Sequence, residues 1–224
     1  MRTVNTPLRG NAKQMAEVTA QLVKALREKT GAGMMECKKA LDEAKGNLDD
    51  AEVVLRKRGL ASAAKKSARS TKQGLIGTYV HAGSQLAVMV EVNCESDFVA
   101  RTEDFQELVK DLAMQVAAAD PRFVRREDVT AEFIEKEREI ARDRARNEGK
   151  PEKILDKIVE GRIEKIYEET VLMEQPFIKD NGVIVKDMIN QRIAKLGENI
   201  SIARFIRMKV GETQADTPAA EGQE

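Results

Sequence analysis

The sequence predicts an α+β protein assembled in pieces, and three observations predict it. The run Leu86-Ala87-Val88-Met89-Val90-Glu91-Val92 alternates with period two, as a half-buried strand does. It leads into Phe105, Leu108, Val109, Leu112, Ala113 and Val116, which recur as one face of a helix. Short apolar segments stopped by glycines precede it, and two long segments crowded with both signs of charge follow it. The expected architecture is an N-terminal three-helix domain, a small antiparallel three-stranded sheet packed with helices, and an antiparallel coiled-coil arm.

The three-helix domain is expected over residues 16–60. Thr19 can cap a first helix with Leu22, Val23 and Leu26 on its apolar face, and Thr30-Gly31 ends it. Gly33-Met34-Met35 opens a second helix that packs Cys37, Ala40, Leu41 and Ala44 and stops at Gly46. Asp49 or Asp50 starts a third, with Ala51, Val54 and Leu55 inside and Gly59 as its stop. Residues 61–73 are small, polar and basic, and read as a solvated linker that continues a helix before fraying.

A core domain follows over residues 74–211. Leu75–His81 and Leu86–Val92 read as strands joined through Ala82-Gly83-Ser84-Gln85. Ile200–Val210 supplies the third strand, with Ile206, Met208 and Val210 alternating with Arg207 and Lys209. Val185–Leu196 gives a helix closed by Gly197. The arm occupies about 131–170. Thr130 caps a helix carrying Phe133, Ile134, Glu137 and Ile140, Pro151 opens the return helix, and Ile154, Leu155, Ile158, Ile163 and Ile166 continue it. Residues 1–15 read as an extension and 212–224 as a disordered tail.

Composition narrows function. With 34% charged residues, 4% aromatics and no Trp, the interior must be mostly aliphatic. Lys+Arg and Asp+Glu are equal at 38, which argues against a basic nucleic-acid binder. Only the strip Lys65, Lys66, Arg69 and Lys72 hints at phosphate contact, and no aromatic is interleaved there for stacking. Cys37 and Cys94 form no CxxC pair and His81 is the only histidine, so no zinc ligand set exists. Both cysteines are expected as buried small hydrophobes in a reducing, cytoplasmic compartment. No apolar run approaches the roughly 20 residues that cross a bilayer. Neither a nucleophilic triad nor a phosphate-cradling Gly-rich loop is present, so neither enzyme chemistry, a cofactor nor a metal is expected.

Binding is the better reading. Asn93-Cys94-Glu95-Ser96-Asp97-Phe98-Val99-Ala100-Arg101 sets an acid and a bare aromatic at a strand-to-helix turn, placed to probe a partner. Two adjacent methionines, Met34 and Met35, cannot both face one interior, and an exposed, polarizable Met suits an adaptable contact. These two motifs, the second within Leu22–Leu41, closely resemble the elongation factor Ts family, guanine-nucleotide exchange factors for elongation factor Tu. Gly149-Lys150-Pro151, Val159-Glu160-Gly161-Arg162 and Gln175-Pro176-Phe177 extend the resemblance through the arm, over about residues 15–211. Ser96 stands where the family usually has Thr, keeping the hydroxyl.

The resemblance implies a ubiquitin-associated-like first domain and a short form with one copy of the central module, in which homodimerisation supplies the surface of a missing second copy. It implies that Asp97, Phe98, Val99 and Ala100 displace Mg²⁺ from the partner GTPase. Lys24, Arg27, Met34, Met35 and His81 are its other partner contacts. The expected partner is elongation factor Tu, GDP-bound and nucleotide-free, without membrane or sequence-specific nucleic acid. Met15 stands near the family's usual start, so residues 1–14 read first as a misassigned start, with a natural extension or a targeting remnant as the other readings. The competing function is a non-catalytic adaptor whose three-helix domain binds ubiquitin-like or ribosome-associated partners.

Overall fold

The computed structural model describes residues 18–212. The expected extension and all of the expected tail beyond Glu212 lie outside the described residues. The chain divides between Gly59 and Leu60 into two compact units.

The first unit holds α1 (Ala20–Thr30), α2 (Met34–Glu43) and most of α3 (Leu48–Lys66). Thr19 accepts the Leu22 N–H at 3.3 Å, and Gly31, at φ 67°, closes α1 with its N–H on the Arg27 carbonyl at 2.7 Å. Asn47, rather than an aspartate, caps α3, its Oδ1 accepting from the Asp49 and Asp50 N–H groups at 2.9 and 3.2 Å. Leu26, Cys37, Ala40, Leu41 and Ala51 form the core, a small one. The expected stop at Gly59 does not occur. One glycine costs a helix about 1 kcal/mol relative to alanine, and Ala61, Ala63 and Ala64 carry α3 on to Lys66.

The second unit continues with β1 (Gln73–Val80), β2 (Leu86–Cys94), α4 (Asp97–Ala100), α5 (Glu103–Ala119), α6 (Ala131–Asn147), α7 (Glu152–Thr170), β3 (Pro176–Phe177), β4 (Asp180–Ile184), α8 (Val185–Leu196) and β5 (Ile200–Lys209). It is an α+β arrangement: the chain has eight α-helices and a three-stranded antiparallel sheet, in the order β1-β2-β5, among the described residues. Val88, Val90, Val92 and Cys94 face inward in one core with Phe105, Leu108 and Leu112 of α5 and Ile189 of α8. Gly77 lets α5 lie close against β1, since a Cβ there would stand 2.5 Å from Val109 Cγ1. Of the basic strip, Lys66 donates to Ser62 at 3.0 Å and Arg69 pairs with Glu95 at 3.4 Å.

The third strand alternates as expected, but its phase changes along its length. The register steps from Glu91↔Arg204 to Val92↔Ile202, so Ala203 is the extra residue of a bulge. Ile200 and Ile202 point into the core; past the bulge Phe205 packs inward while Ile206 and Met208 are exposed at 58% and 69%. Arg125 donates to the Ile202 carbonyl beside the irregularity at 3.0 Å. With Ile76, Val80 and Met89, also exposed, these residues make the outer face of the sheet apolar.

α6 and α7 form an antiparallel helical hairpin. Arg138 pairs with Glu160, Arg142 with Asp156 at 3.2 Å and Arg146 with Glu152 at 3.1 Å, so each step of four along α6 is matched by four back along α7. The seam is the expected one in part: Ile134, Leu155, Ile163 and Ile166 are buried as expected. Ile140 and Ile154 are exposed instead, and Ala141, Ala145 and Val159 are buried in addition. The small alanines let the backbones approach. At the hairpin's base Arg126 bonds Glu164 and Glu174 and lies 4.1 Å over the Tyr167 ring.

A two-stranded hairpin, β3–β4, was not foreseen. The fully buried Gln115 holds it, donating to the Pro176 carbonyl at 3.1 Å and accepting the Ile178 N–H at 2.9 Å. No described helix is long and apolar enough to cross a membrane.

Candidate functional site

The strand-to-helix corner is built from its anchors outward. β2 ends at the buried Cys94, and Ser96, extended at φ −127° and ψ 155°, caps α4, its Oγ accepting the Val99 N–H at 3.4 Å. Thr102 caps α5 in the same way, accepting the Phe105 N–H at 3.3 Å. Ala100 is buried and Val99 packs half-buried against the main core. Between these anchors Phe98 is 79% exposed, the most exposed of the large apolar side chains in the described residues. Phe105, seven residues on, is fully buried, so the two aromatics of this segment do opposite work.

The four residues expected at this corner therefore divide. Phe98 and Asp97 are presented to solvent; Val99 and Ala100 hold the turn that presents them. Asp97 is not a bare acid, because Arg101 pairs with it at 2.8 Å one helical turn later. A partner that engages the Asp97 carboxylate competes with Arg101, a residue that sequence reading had left unassigned.

Two further residues that sequence reading missed fasten the corner from behind. The Glu198 carboxylate accepts the Ser96 N–H at 3.0 Å and the Ser96 hydroxyl at 2.6 Å. Glu95 in turn accepts the Asn199 N–H at 2.6 Å, and the Asn199 amide donates to the Ser67 and Arg69 carbonyls at 3.3 and 2.9 Å. No local pattern signals a contact spanning 102 residues.

In the first unit a groove of about 550 Å³ is lined by Lys24, Arg27, Met34 and Met35, with Val18, Val23 and Lys38 among its other walls. Sequence reading expected one exposed methionine. Both are exposed, Met34 at 58% and Met35 at 64%, because Cys37, Ala40 and Leu41 already fill the inner face of α2. Lys24 is loosely paired with Glu28 at 3.8 Å, which leaves the rim cationic.

His81 belongs to neither group. It follows β1 directly, its N–H closes the hairpin on the Leu86 carbonyl at 2.8 Å, and its Nδ1 meets the Tyr79 hydroxyl at 2.9 Å. β2 runs from beside it to the corner, roughly 26 Å of strand at the usual rise, so His81 and Phe98 lie at opposite ends of the sheet.

The chemistry of these surfaces is that of contact. Burial pushes the Cys94 thiol up, and the Glu198 charge adds to it; burial likewise pushes Cys37 up. Neither thiol is poised as a thiolate nucleophile. Among the described residues no group of three or more His, Cys, Asp or Glu side chains is arranged to hold a metal ion.

Comparison with known proteins identifies the family. The family described as Elongation factor TS matches residues 9–212. The chain is 67% identical over 212 residues to an Elongation factor Ts of Solibacter usitatus, covering 92% of this chain and 100% of the relative. It is 60% identical to one of Heliobacterium modesticaldum, covering 87% and 91%, and 55% identical to one of Fervidobacterium nodosum, covering 88% and 100%. The chain therefore belongs to the elongation factor Ts family, translation elongation factors that serve protein biosynthesis through nucleotide exchange.

Proposed function

We propose that this chain binds GDP-bound elongation factor Tu and accelerates GDP release by displacing Mg²⁺, and that it holds the nucleotide-free GTPase until GTP enters. The observation that carries the reading is the 79% exposure of Phe98 on a capped turn whose neighbours are anchored in the core. Phe98 wedges between helices of the GTPase, and Asp97 with the turn through Ala100 disturbs the region that holds the metal. Removing Mg²⁺ strips the main countercharge from the nucleotide phosphates, so their affinity falls.

Magnitudes decide how many contacts this takes. A thousandfold weakening of GDP needs roughly 4 kcal/mol. Burying one Phe side chain contributes roughly 1.5–3 kcal/mol. The wedge alone falls short, so Asp97 and the lost metal countercharge must supply the rest. The groove of Lys24, Arg27, Met34 and Met35 suits a different role, a grip that holds the GTPase before and after distortion, in a first unit read as a ubiquitin-associated-like domain over residues 16–60. His81, far from the corner, would be a separate contact. Coupling is reciprocal: the factor by which this chain weakens GDP is the factor by which GDP weakens this chain.

The finer architecture follows the same reading. Residues 61–73 connect the first domain to a core domain over 74–211, the helical hairpin at about 131–170 is a short coiled-coil arm, and the protein works in the cytoplasm. The apolar outer face of the sheet (Ile76, Met89, Ile206 and Met208) supports a homodimer in which two copies cover it face to face.

The test is release of a fluorescent GDP analogue from purified elongation factor Tu. This chain should speed release steeply, and immobilised chain should retain the GTPase until GDP plus Mg²⁺ is added. Retention without any acceleration would favour a non-catalytic adaptor.

A further inference from the structure

α4 is too short to be stable by itself: four residues close barely one turn, and helix nucleation is unfavourable. Its own cap is long, at 3.4 Å. Phe98, solvated on most of its surface, has few contacts to aim it. Its direction is set by the backbone on either side. On the C-terminal side Val99 and Ala100 pack into the core. On the N-terminal side the fastening is a carboxylate. Glu198 takes the N–H of Ser96 on one oxygen and the hydroxyl on the other, which fixes both the peptide plane and the side-chain rotamer of the capping residue. Glu95 and Asn199 cross this pair with a bond in the opposite sense, tying the corner to the turn that leads into β5.

We propose that Glu198 is the positioning residue of the exchange corner, holding Ser96 so that α4 projects Phe98 in the one direction that can enter a partner. The proposal rests on the exchange reading above. It makes Glu198 important to exchange without any contact with the GTPase, and it explains why Ser serves at position 96: the hydroxyl accepts from Val99 and donates to Glu198 at once. Alanine at either position breaks the chain of bonds.

The experiment measures nucleotide release from GDP-loaded elongation factor Tu against concentration of factor, for the wild type, Glu198→Ala, Glu198→Gln, Ser96→Ala, Phe98→Ala and the double variant Phe98→Ala/Glu198→Ala. Glu198→Ala should lower the maximal acceleration on the order of tenfold, as a misaimed group does, while the half-saturating concentration moves by less than about threefold. Glu198→Gln, which keeps one acceptor oxygen, should fall between it and the wild type. In the Phe98→Ala background the Glu198 substitution should cost much less, because most of its effect passes through that ring. Wild-type acceleration by Glu198→Ala overturns the proposal, as does an equal loss in both backgrounds. Should Glu198→Ala fail to fold, Glu198→Gln and Ser96→Ala carry the same comparison, each removing part of the clamp. The two readings fail separately: an unaffected Phe98→Ala sinks the exchange wedge, whereas a dead Phe98→Ala beside an unaffected Glu198→Ala sinks only the positioning role.

Discussion

The corner and the groove present apolar side chains to solvent by opposite means. At the corner a single stiff aromatic stands on one helical turn fastened at Ser96, Val99 and Ala100. In the groove two flexible methionines lie side by side on α2 between cations, above a small core of Leu26, Cys37 and Leu41. A fastened ring transmits force and direction; a thioether chain with three rotatable bonds conforms to whatever surface it meets. The contrast separates two roles that one interface must fill, staying bound before and after distortion and causing the distortion itself. Contacts of the first kind set affinity, and contacts of the second kind set rate.

That division can be broken by mutation, and the largest effect should come from the ring. Phe98→Ala should cut the maximal acceleration of GDP release between about tenfold and a hundredfold, the equivalent of one buried Phe, while titration still finds a complex of nearly unchanged affinity. A smaller and opposite change is expected from Met34→Ala combined with Met35→Ala. Half-saturation should rise by about tenfold with the maximum preserved. Leucine at both positions, similar in volume, should restore most of the affinity, whereas Phe98→Leu should not restore rate. Next comes the sheet's outer face, which lies outside both roles. Ile206→Lys should abolish the proposed homodimer in sedimentation, and its Tm should lose any dependence on protein concentration. The smallest effect sharpens the claim of rigidity. Thr102→Ala removes the cap of α5 behind the corner and should cost about 1 kcal/mol, lowering Tm by roughly 2–4 °C for a chain of this size.

The strand-to-helix corner was legible because its signals are local. Alternation marks β2, Thr102 caps α5, and Gly31 and Gly197 close α1 and α8 with left-handed φ. What stayed hidden depends on residues distant in sequence or on one extra residue. Ala203 reverses the facing of β5, so Ile206 and Met208, read simply as an alternating strand, stand outside. The buried Gln115 builds the β3–β4 hairpin from 61 residues away, and no periodicity announces a polar anchor. In the arm, the apolar pattern found Ile134, Ile163 and Ile166 but not Ala141 and Ala145, because side chains that small leave no apolar signal of their own. The site was half-visible for the same reason: Phe98 could be read from its own neighbours, but Arg101, Glu198 and Asn199 emerge only when the chain is folded.

The central claim is that the corner works by removing another protein's magnesium, and the dependence of GDP release on Mg²⁺ tests it most directly. Release of a fluorescent GDP analogue from elongation factor Tu should be followed by stopped flow, with and without this chain, at saturating Mg²⁺ and in excess chelator. A large acceleration is expected with the metal present, and little further acceleration once chelator has removed it. An equal fold acceleration in both conditions would contradict the claim.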